Sequence, residues 1–474
     1  MRIVCIPIDS RPCNTQFLKR LVSWAGSEIA LPAPEEADFF RRPADHAAER
    51  AFLEKELETC DSAVISLDHW CYGSLLASRE EDVSPEEALR RAEELRQMLM
   101  RFPGAAVYMS SVILRSSISA FGMGDLDAYN AVTEYSVYTD RFERFGLEED
   151  RKKRDEALRR IPAGIPEKIR RVRDRNLRVN LAAADMAADG IVTSLCILQE
   201  DTQSYGFPRR DQRMIEEHLL IRQPANVFLR NGTDEAGALL AARALWEGRE
   251  DLKAHILYLG DGGFIAPFED RPFRENMESA CRQIGIVPDP ASDTVIAVCC
   301  PEKGGRGDAY QGMDGGHLQY LAAEADRLVM SGKRVYLLDV ARANGGVPLF
   351  GHMRAADELW GYSAWNTASN AMGTLLAQVL TDCMNGRPNR QYFIERLLDD
   401  YVYQGTVRQR LHEELLASGE DPYCIKNTRM AQKMLEDLFD RFLPGLWPLE
   451  KIPPYRVRLC WNRIFEIEAE AGGA

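Results

Sequence analysis

The sequence predicts an α/β protein of mostly parallel sheets flanked by helices. Two doubly wound, Rossmann-like domains are favoured over a TIM-type barrel, with a helical C-terminal region. Three observations predict this. Short, continuous apolar runs recur from residue 1 to about 385, each the length of a strand buried on both faces. Amphipathic stretches separate them, and strand–helix–strand repetition is the pattern of parallel pairing. The runs also outnumber the eight strands that a barrel uses.

In chain order the strand runs are "RIVCIPI", "SEIALPA", "SAVISL", "AAVYMSSVI", "IVTSLCIL", "ANVFLR", "HILYLG", "TVIAVCC" and "RVYLLDV". Among the helices, "SPEEALRRAEELRQMLMRF" opens with Ser84 and Glu87 as a capping box and Pro85 at the first helical position. An Arg- and Glu-rich helical insertion is expected at about 145–185. From "HILYLG" onward, strand, long helix, short strand after a glycine and further strand repeat the order of the opening. A boundary is therefore expected near Trp246–His255, giving an N-terminal domain at 1–250 and a second at 251–385. "PEKGGRGDAYQGMDGGHLQ" (Pro301 to Gln319) holds six glycines in nineteen residues and reads as a loop. Residues 386–474 turn helical, and the alternating "YRVRLCWNRIFEIEAE" reads as an edge strand.

Composition narrows the function classes. A chain of 474 residues is too long for one ordinary core, and 45% hydrophobic with 28% charged residues describes a soluble protein. No apolar run approaches the length of a membrane span, and the N-terminus lacks a signal-peptide pattern. A net charge of −14 argues against nucleic acid as partner. The basic stretch "KIRRVRDRNLR" (Lys168 to Arg178) is an exception that reads as a solvated helix face. Eleven cysteines without a CxxC pair, several inside apolar runs, imply reduced thiols and a cytoplasmic protein.

Parallel α/β folds bind ligands beyond the carboxyl ends of their strands. Reading past each run there collects Asp9 and Arg11; Asp68, His69 and Tyr72; Arg115; Glu200 and Asp201; Asn231, Asp234 and Glu235; Asp339 and Asn344; and Trp365 with Asn366. Amides beside an indole suit a hydroxyl-rich ligand. "NGTDE" (Asn231 to Glu235) reads equally as a helix cap. Two adjacent carboxylates repel, so one can keep a proton while its neighbour stays ionised, as glycoside hydrolysis requires. The sequence therefore predicts a carbohydrate-active enzyme, a glycoside hydrolase with N-acetylhexosaminides among its candidate substrates. Glu200 and Asp201 are its acid and stabilising carboxylate, and the other collected residues contact the sugar. No cofactor or metal site is predicted. The alternatives are a hydrolase or isomerase holding a divalent metal through Asp68, His69, Asp201 and Asp234, and a non-catalytic protein that binds a small solute. The histidines lack the HxH or HExxH spacing of zinc enzymes.

Several of these stretches, in order, carry a likeness: "IPIDSRPCN", "SLDHWCYGSLLASR", "RDRNLRVN", "LQEDTQSYGFPRRD", "NGTDEAGALLAARAL", "FEDRPFREN", "ANGG" and "AWNTASNAMGT". Together they resemble a bacterial family of unknown function, the DUF4127 proteins, over most of the chain. The resemblance implies no activity. Where a typical member has an Asp-Asp pair this chain has Glu200-Asp201, and where it has a second Asp in the opening motif this chain has Ser10.

Overall fold

Each of the nine apolar runs forms a strand; six are buried nearly throughout between helices, while "SEIALPA", "ANVFLR" and "HILYLG" are partly exposed. The computed structural model describes residues 1–116, 126–302 and 315–472, so most of the glycine-rich stretch after Pro301 lies outside the described residues. The strands are β1 (Arg2–Ile6), β2 (Glu28–Ala30), β3 (Ser62–Ser66), β4 (Ala106–Ile113), β5 (Ser194–Gln199), β6 (Val227–Asn231), β7 (Leu252–Leu259), β8 (Ile286–Pro288), β9 (Thr294–Cys299), β10 (Arg334–Asp339), β11 (Gly361–Ser363), β12 (Tyr455–Cys460) and β13 (Arg463–Ala471). The helices are α1 (Gln16–Trp24), α2 (His46–Leu57), α3 (Leu67–Tyr72), α4 (Pro85–Arg101), α5 (Leu126–Phe145), α6 (Glu148–Arg160), α7 (Ile165–Ala188), α8 (Phe207–Arg222), α9 (Ala236–Trp246), α10 (Phe273–Ile284), α11 (Gly315–Met330), α12 (Ala368–Asn385), α13 (Arg390–Arg396), α14 (Arg408–Ala417) and α15 (Thr428–Leu446). A π-helix, Leu397–Val407, joins α13 to α14.

The chain divides into two compact units. The first comprises Met1–Ser10, Ser27–Ala244 and Phe268–Asp270; the second comprises Arg11–Gly26, Leu245–Pro267 and Arg271–Ala474.

In the first unit one parallel sheet runs β2-β1-β3-β4-β5-β6. Its register pairs Ile6 with Ile65, Ser66 with Ser110, and Gln199 with both Ile113 and Asn231, so the carboxyl ends of the central strands form one edge. The core lies between this sheet and the helices beside it. Ala88, Ala92, Leu95 and Leu99 form the buried stripe of α4, at helical spacing, against Ile65, Met109 and Leu195. Half of the predicted capping box is present: Ser84 accepts the Glu87 N–H at 3.2 Å, with Pro85 at the first turn, while the Glu87 carboxylate pairs with Arg90 and Arg91. The insertion expected at about 145–185 is helical, as α6 and α7.

In the second unit a parallel sheet runs β8-β7-β9-β10-β11. Counted from its own first strand this is the order 2-1-3-4-5, which the first sheet shares and extends by a sixth strand. It is an open doubly wound order, and the barrel alternative does not form. The core runs without a break from Val295 and Leu337 in this sheet to Leu438 in α15 and Ile467 in β13. The C-terminal run departs from its reading as one edge strand. Trp461 and Asn462 both adopt left-handed φ, of 53° and 54°, and the chain folds back as the antiparallel hairpin β12–β13. Two consecutive left-handed residues make the turn whose twist matches that of paired strands.

Among the described residues no helix is long and apolar enough to cross a membrane. All eleven cysteines are free.

Candidate functional site

The sheet edge of the first unit gathers one cluster of opposite charges. β5 ends at Gln199, and the Glu200 N–H continues the ladder to the Ile113 carbonyl at 3.2 Å. The chain then turns, and the Thr202 N–H donates to the Phe268 carbonyl at 2.9 Å. That turn lets Glu200 and Asp201 enter one network, which an extended strand would have sent to opposite faces. Arg79, from the short 3-10 turn Ala77–Arg79, pairs with Glu200 Oε1. The Arg115 N–H donates to Glu200 Oε2 at 3.2 Å, while its guanidinium reaches Asp201 Oδ2 at 3.3 Å. Arg115 thus bridges the two carboxylates.

The pair is polarised. Burial opposes ionisation of Glu200, and Arg79 and Arg115 outweigh it, holding this carboxyl below the usual range. Burial raises Asp201; Arg115 opposes the rise and the adjacent Glu200 charge adds to it. Of the two carboxyls, Asp201 is the one displaced toward the protonated form. Asp68, in the first turn of α3, is a third acid of the cluster. Its Oδ2 accepts the Val112 N–H at 2.7 Å, and its Oδ1 has no hydrogen-bond partner among the described residues. Burial, with the Glu200 charge adding to it, pushes this carboxyl up to about 7.

Two arginines of the basic stretch hold the loops of this cluster in place. Arg173, on α7, donates to the carbonyls of Leu114 and Arg115 at 2.9 Å each and pairs with Asp211 at 2.5 Å. Arg175 donates to the carbonyls of Ser78, Glu80 and Val83, at 2.6, 2.8 and 2.8 Å. The stretch is therefore not simply a solvated face: Arg173 and Arg175 are buried, while Arg170, Arg171 and Arg178 are exposed. Each buried guanidinium satisfies carbonyls that helix and sheet leave open.

Other collected residues of this unit serve the fold around the cluster. His69 lies beside Asp68 in sequence, yet its Nε2 meets Glu49 at 2.5 Å. Burial alone would lower its pKa; the Glu49 carboxylate outweighs burial and raises the imidazole to about 9. Tyr72 is buried beneath the Arg175 guanidinium, 4.3 Å from the ring centroid. Glu235 accepts from Arg230 at 2.5 Å and from the Thr233 N–H at 2.8 Å, so its carboxylate ties down the turn that precedes α9. Asp9, Asn231 and Asp234 are buried beside the same strand ends.

The remaining collected residues belong to the second unit. Arg11 pairs with Glu466 at 2.9 Å and lies over the Trp461 ring. Asp339 ends β10; its Oδ2 accepts the Val347 N–H at 2.8 Å, and burial raises its carboxyl to about 6. The Asn344 N–H donates to the Asn366 carbonyl at 2.8 Å, and both asparagines adopt left-handed φ. Trp365 is buried edge-on to Phe17. The predicted residues therefore form two groups, one at the strand ends of the first sheet and one in the second unit, where Asp339, Asn344, Trp365 and Asn366 follow β10 and β11 and Arg11 lies against the β12–β13 hairpin.

Sequence reasoning missed Arg79, Arg173 and Arg175, and also Asp399 and Asp400 of the π-helix, both paired with the buried Arg396. Two acids inside the apolar run "LLDDYV" were the available signal for the last pair. Among the described residues no three His, Cys, Asp or Glu side chains are grouped to hold a metal ion.

The family described as "Protein of unknown function (DUF4127)" matches residues 3–470. No curated protein matches the chain.

Proposed function

Because this chain belongs to the DUF4127 family, whose description assigns no chemistry, we propose its function from the first-unit cluster: hydrolysis of a glycosidic bond by the Glu200–Asp201 pair. The observation that carries the reading is the opposite displacement of two adjacent carboxyls around one shared guanidinium. Asp201, the member displaced toward the protonated form, protonates the leaving oxygen; water then adds to the anomeric carbon and returns a proton to the Asp201 carboxylate. Glu200, held ionised, stabilises positive charge developing on the sugar or steadies an acetamido group. Arg115 couples the two steps, because loss of the Asp201 proton strengthens its pull on that carboxylate and weakens its hold on Glu200. A strongly acidic chain suits a neutral sugar better than a polyphosphate.

A second reading is solute binding without turnover, which the engagement of both carboxylates by arginines favours. Turnover of chromogenic glycosides, N-acetylhexosaminides included, separates the two. We expect the wild type to be active with or without EDTA. Glu200→Gln and Asp201→Asn should each lose about a hundredfold or more in kcat, the scale of a lost acid–base group. Activity lost to EDTA and restored by a divalent ion would replace this proposal with the metal enzyme. A folded wild type inert on the whole panel would leave solute binding as the better account.

A further inference from the structure

The second unit has its own concave site at a strand end. β10 stops at Asp339, and the following loop turns through Asn344 and Gly345, whose φ is 116°. A Cβ on Gly345 would stand 2.7 Å from the Gln404 backbone, so glycine lets this loop press against the π-helix. Loop, π-helix and α14 enclose a pocket of about 470 Å³, within the size range of small-ligand sites. In an open doubly wound sheet the carboxyl end of a strand is where ligands bind, and π-helical turns recur at functional sites.

The wall chemistry is one-sided. Arg342, Arg408 and His412 line the pocket with the amides of Asn344 and Gln404, and no Asp or Glu lines it. Arg342 and Arg408 are both partly buried, and among the described residues neither has a carboxylate within 4.0 Å, whereas the buried Arg11, Arg173, Arg230 and Arg396 each do. Arg342 donates through one terminal nitrogen to the Gly346 carbonyl at 3.0 Å, and its buried Nε has no partner. Arg408 is preorganised: it donates to Gln404 Oε1 at 2.8 Å and stacks 4.5 Å from the centroid of Phe465. Asp339 is the acid whose charge Arg342 feels, from outside the pocket wall; two partly buried guanidiniums facing one small cavity with no acid on its wall attract an oxyanion.

We propose that this pocket binds the oxyanion group, phosphate or carboxylate, of a small hydroxylated molecule. Arg342 and Arg408 grip the anion, Asn344 and His412 bond the hydroxyls, and Gln404, which bonds Arg408 and the Phe465 carbonyl, holds Arg408 in place. The inference stands apart from the hydrolase reading, since it uses none of the residues of the first cluster.

Isothermal titration of the full chain tests it, with inorganic phosphate, glucose 6-phosphate, glucuronate and neutral glucose as probes. At least one of the anions should bind roughly tenfold or more tightly than glucose, and the affinity should fall with added salt. The stronger of glucose 6-phosphate and glucuronate identifies the oxyanion. Arg342→Gln and Arg408→Gln should each weaken binding about tenfold, and Arg410→Gln, on an exposed arginine already paired with Glu413, should not. If Arg408→Gln unfolds the chain, His412→Gln, on a partly exposed wall residue, takes its place. No binding of any anion at about 10 mM, the weak end of specific recognition, would overturn the proposal. So would binding that survives the pocket substitutions unchanged.

Discussion

Keeping a buried carboxyl ionised costs free energy, and Asp68 shows the sign of that cost. Its folded pKa of about 7 lies above the value of an unfolded aspartate, near 4. Between those values the folded chain holds a proton that the unfolded chain has released, so stability falls as pH rises through the window. The loss approaches about 4 kcal/mol once pH exceeds the folded pKa. Asp68→Asn keeps an acceptor for the Val112 N–H and has no proton to lose. Urea unfolding at pH 5 and pH 8 should therefore show a smaller drop in the variant than in wild type. An equal drop would mean that another group carries the pH dependence. Glu200 is the opposite case: its pKa is depressed, so its contribution is present above the ordinary glutamate value and lost as pH falls through the folded one. Arg79→Met removes the first of the two cations holding it down. It should move the acid limb of any activity profile toward higher pH, a shift that loss of packing alone would not produce.

At the scale of elements, α7 is the piece whose role exceeds its appearance. A basic amphipathic helix reads as solvated, because the carbonyls that Arg173 and Arg175 satisfy lie 59 and 97 residues away in sequence. Nothing local in "KIRRVRDRNLR" distinguishes the two buried arginines from their exposed neighbours. Long-range satisfaction of loop carbonyls is the part of the site that sequence patterning cannot carry. What was legible is what depends on local pattern: the nine strand runs, the Ser84 cap, and the acids just past the strand ends. β11 escaped notice because three residues are too few for a period, and it exists through pairing with β10. The hairpin turn escaped because neither Trp nor Asn at its centre is glycine, the usual marker of left-handed backbone. The α7 clamp makes a prediction of its own. Arg173→Met leaves Asp211 buried without its closest cation, which should cost about 3–5 kcal/mol in denaturant unfolding. Adding Asp211→Asn should recover part of that loss, because the stranded charge is then gone. Additive losses in the double variant would show that Arg173 acts through its carbonyl bonds alone.

For the whole molecule, the division of the chain is less simple than its succession of strands. Both sheets share the order 2-1-3-4-5, and the sequence announced that repetition through a second run of strand, helix, short strand and strand. It did not announce that residues 11–26, which follow β1 directly, group with the second unit. The reason is in the side chains of α1. Phe17, Leu18, Leu21 and Val22 are buried there, Phe17 edge-on to Trp365 and Tyr392 and beneath the Arg396 guanidinium at 3.5 Å. At about 1.5–3 kcal/mol for each fully buried apolar side chain, four of them contribute an upper bound of roughly 6–12 kcal/mol. That is comparable with the entire stability of an ordinary domain, about 5–15 kcal/mol. A fragment of residues 245–474 should therefore lack a cooperative thermal transition and bind a hydrophobic dye through the empty α1 socket. The same fragment mixed with a synthetic peptide of residues 11–26 should regain a transition whose midpoint rises with peptide concentration, as mass action requires. Phe17→Ala in the peptide should weaken that rescue. A fragment that melts cooperatively without the peptide would mean that α1 only decorates a core complete without it. The boundary before Leu245 would then be sufficient to define the second unit.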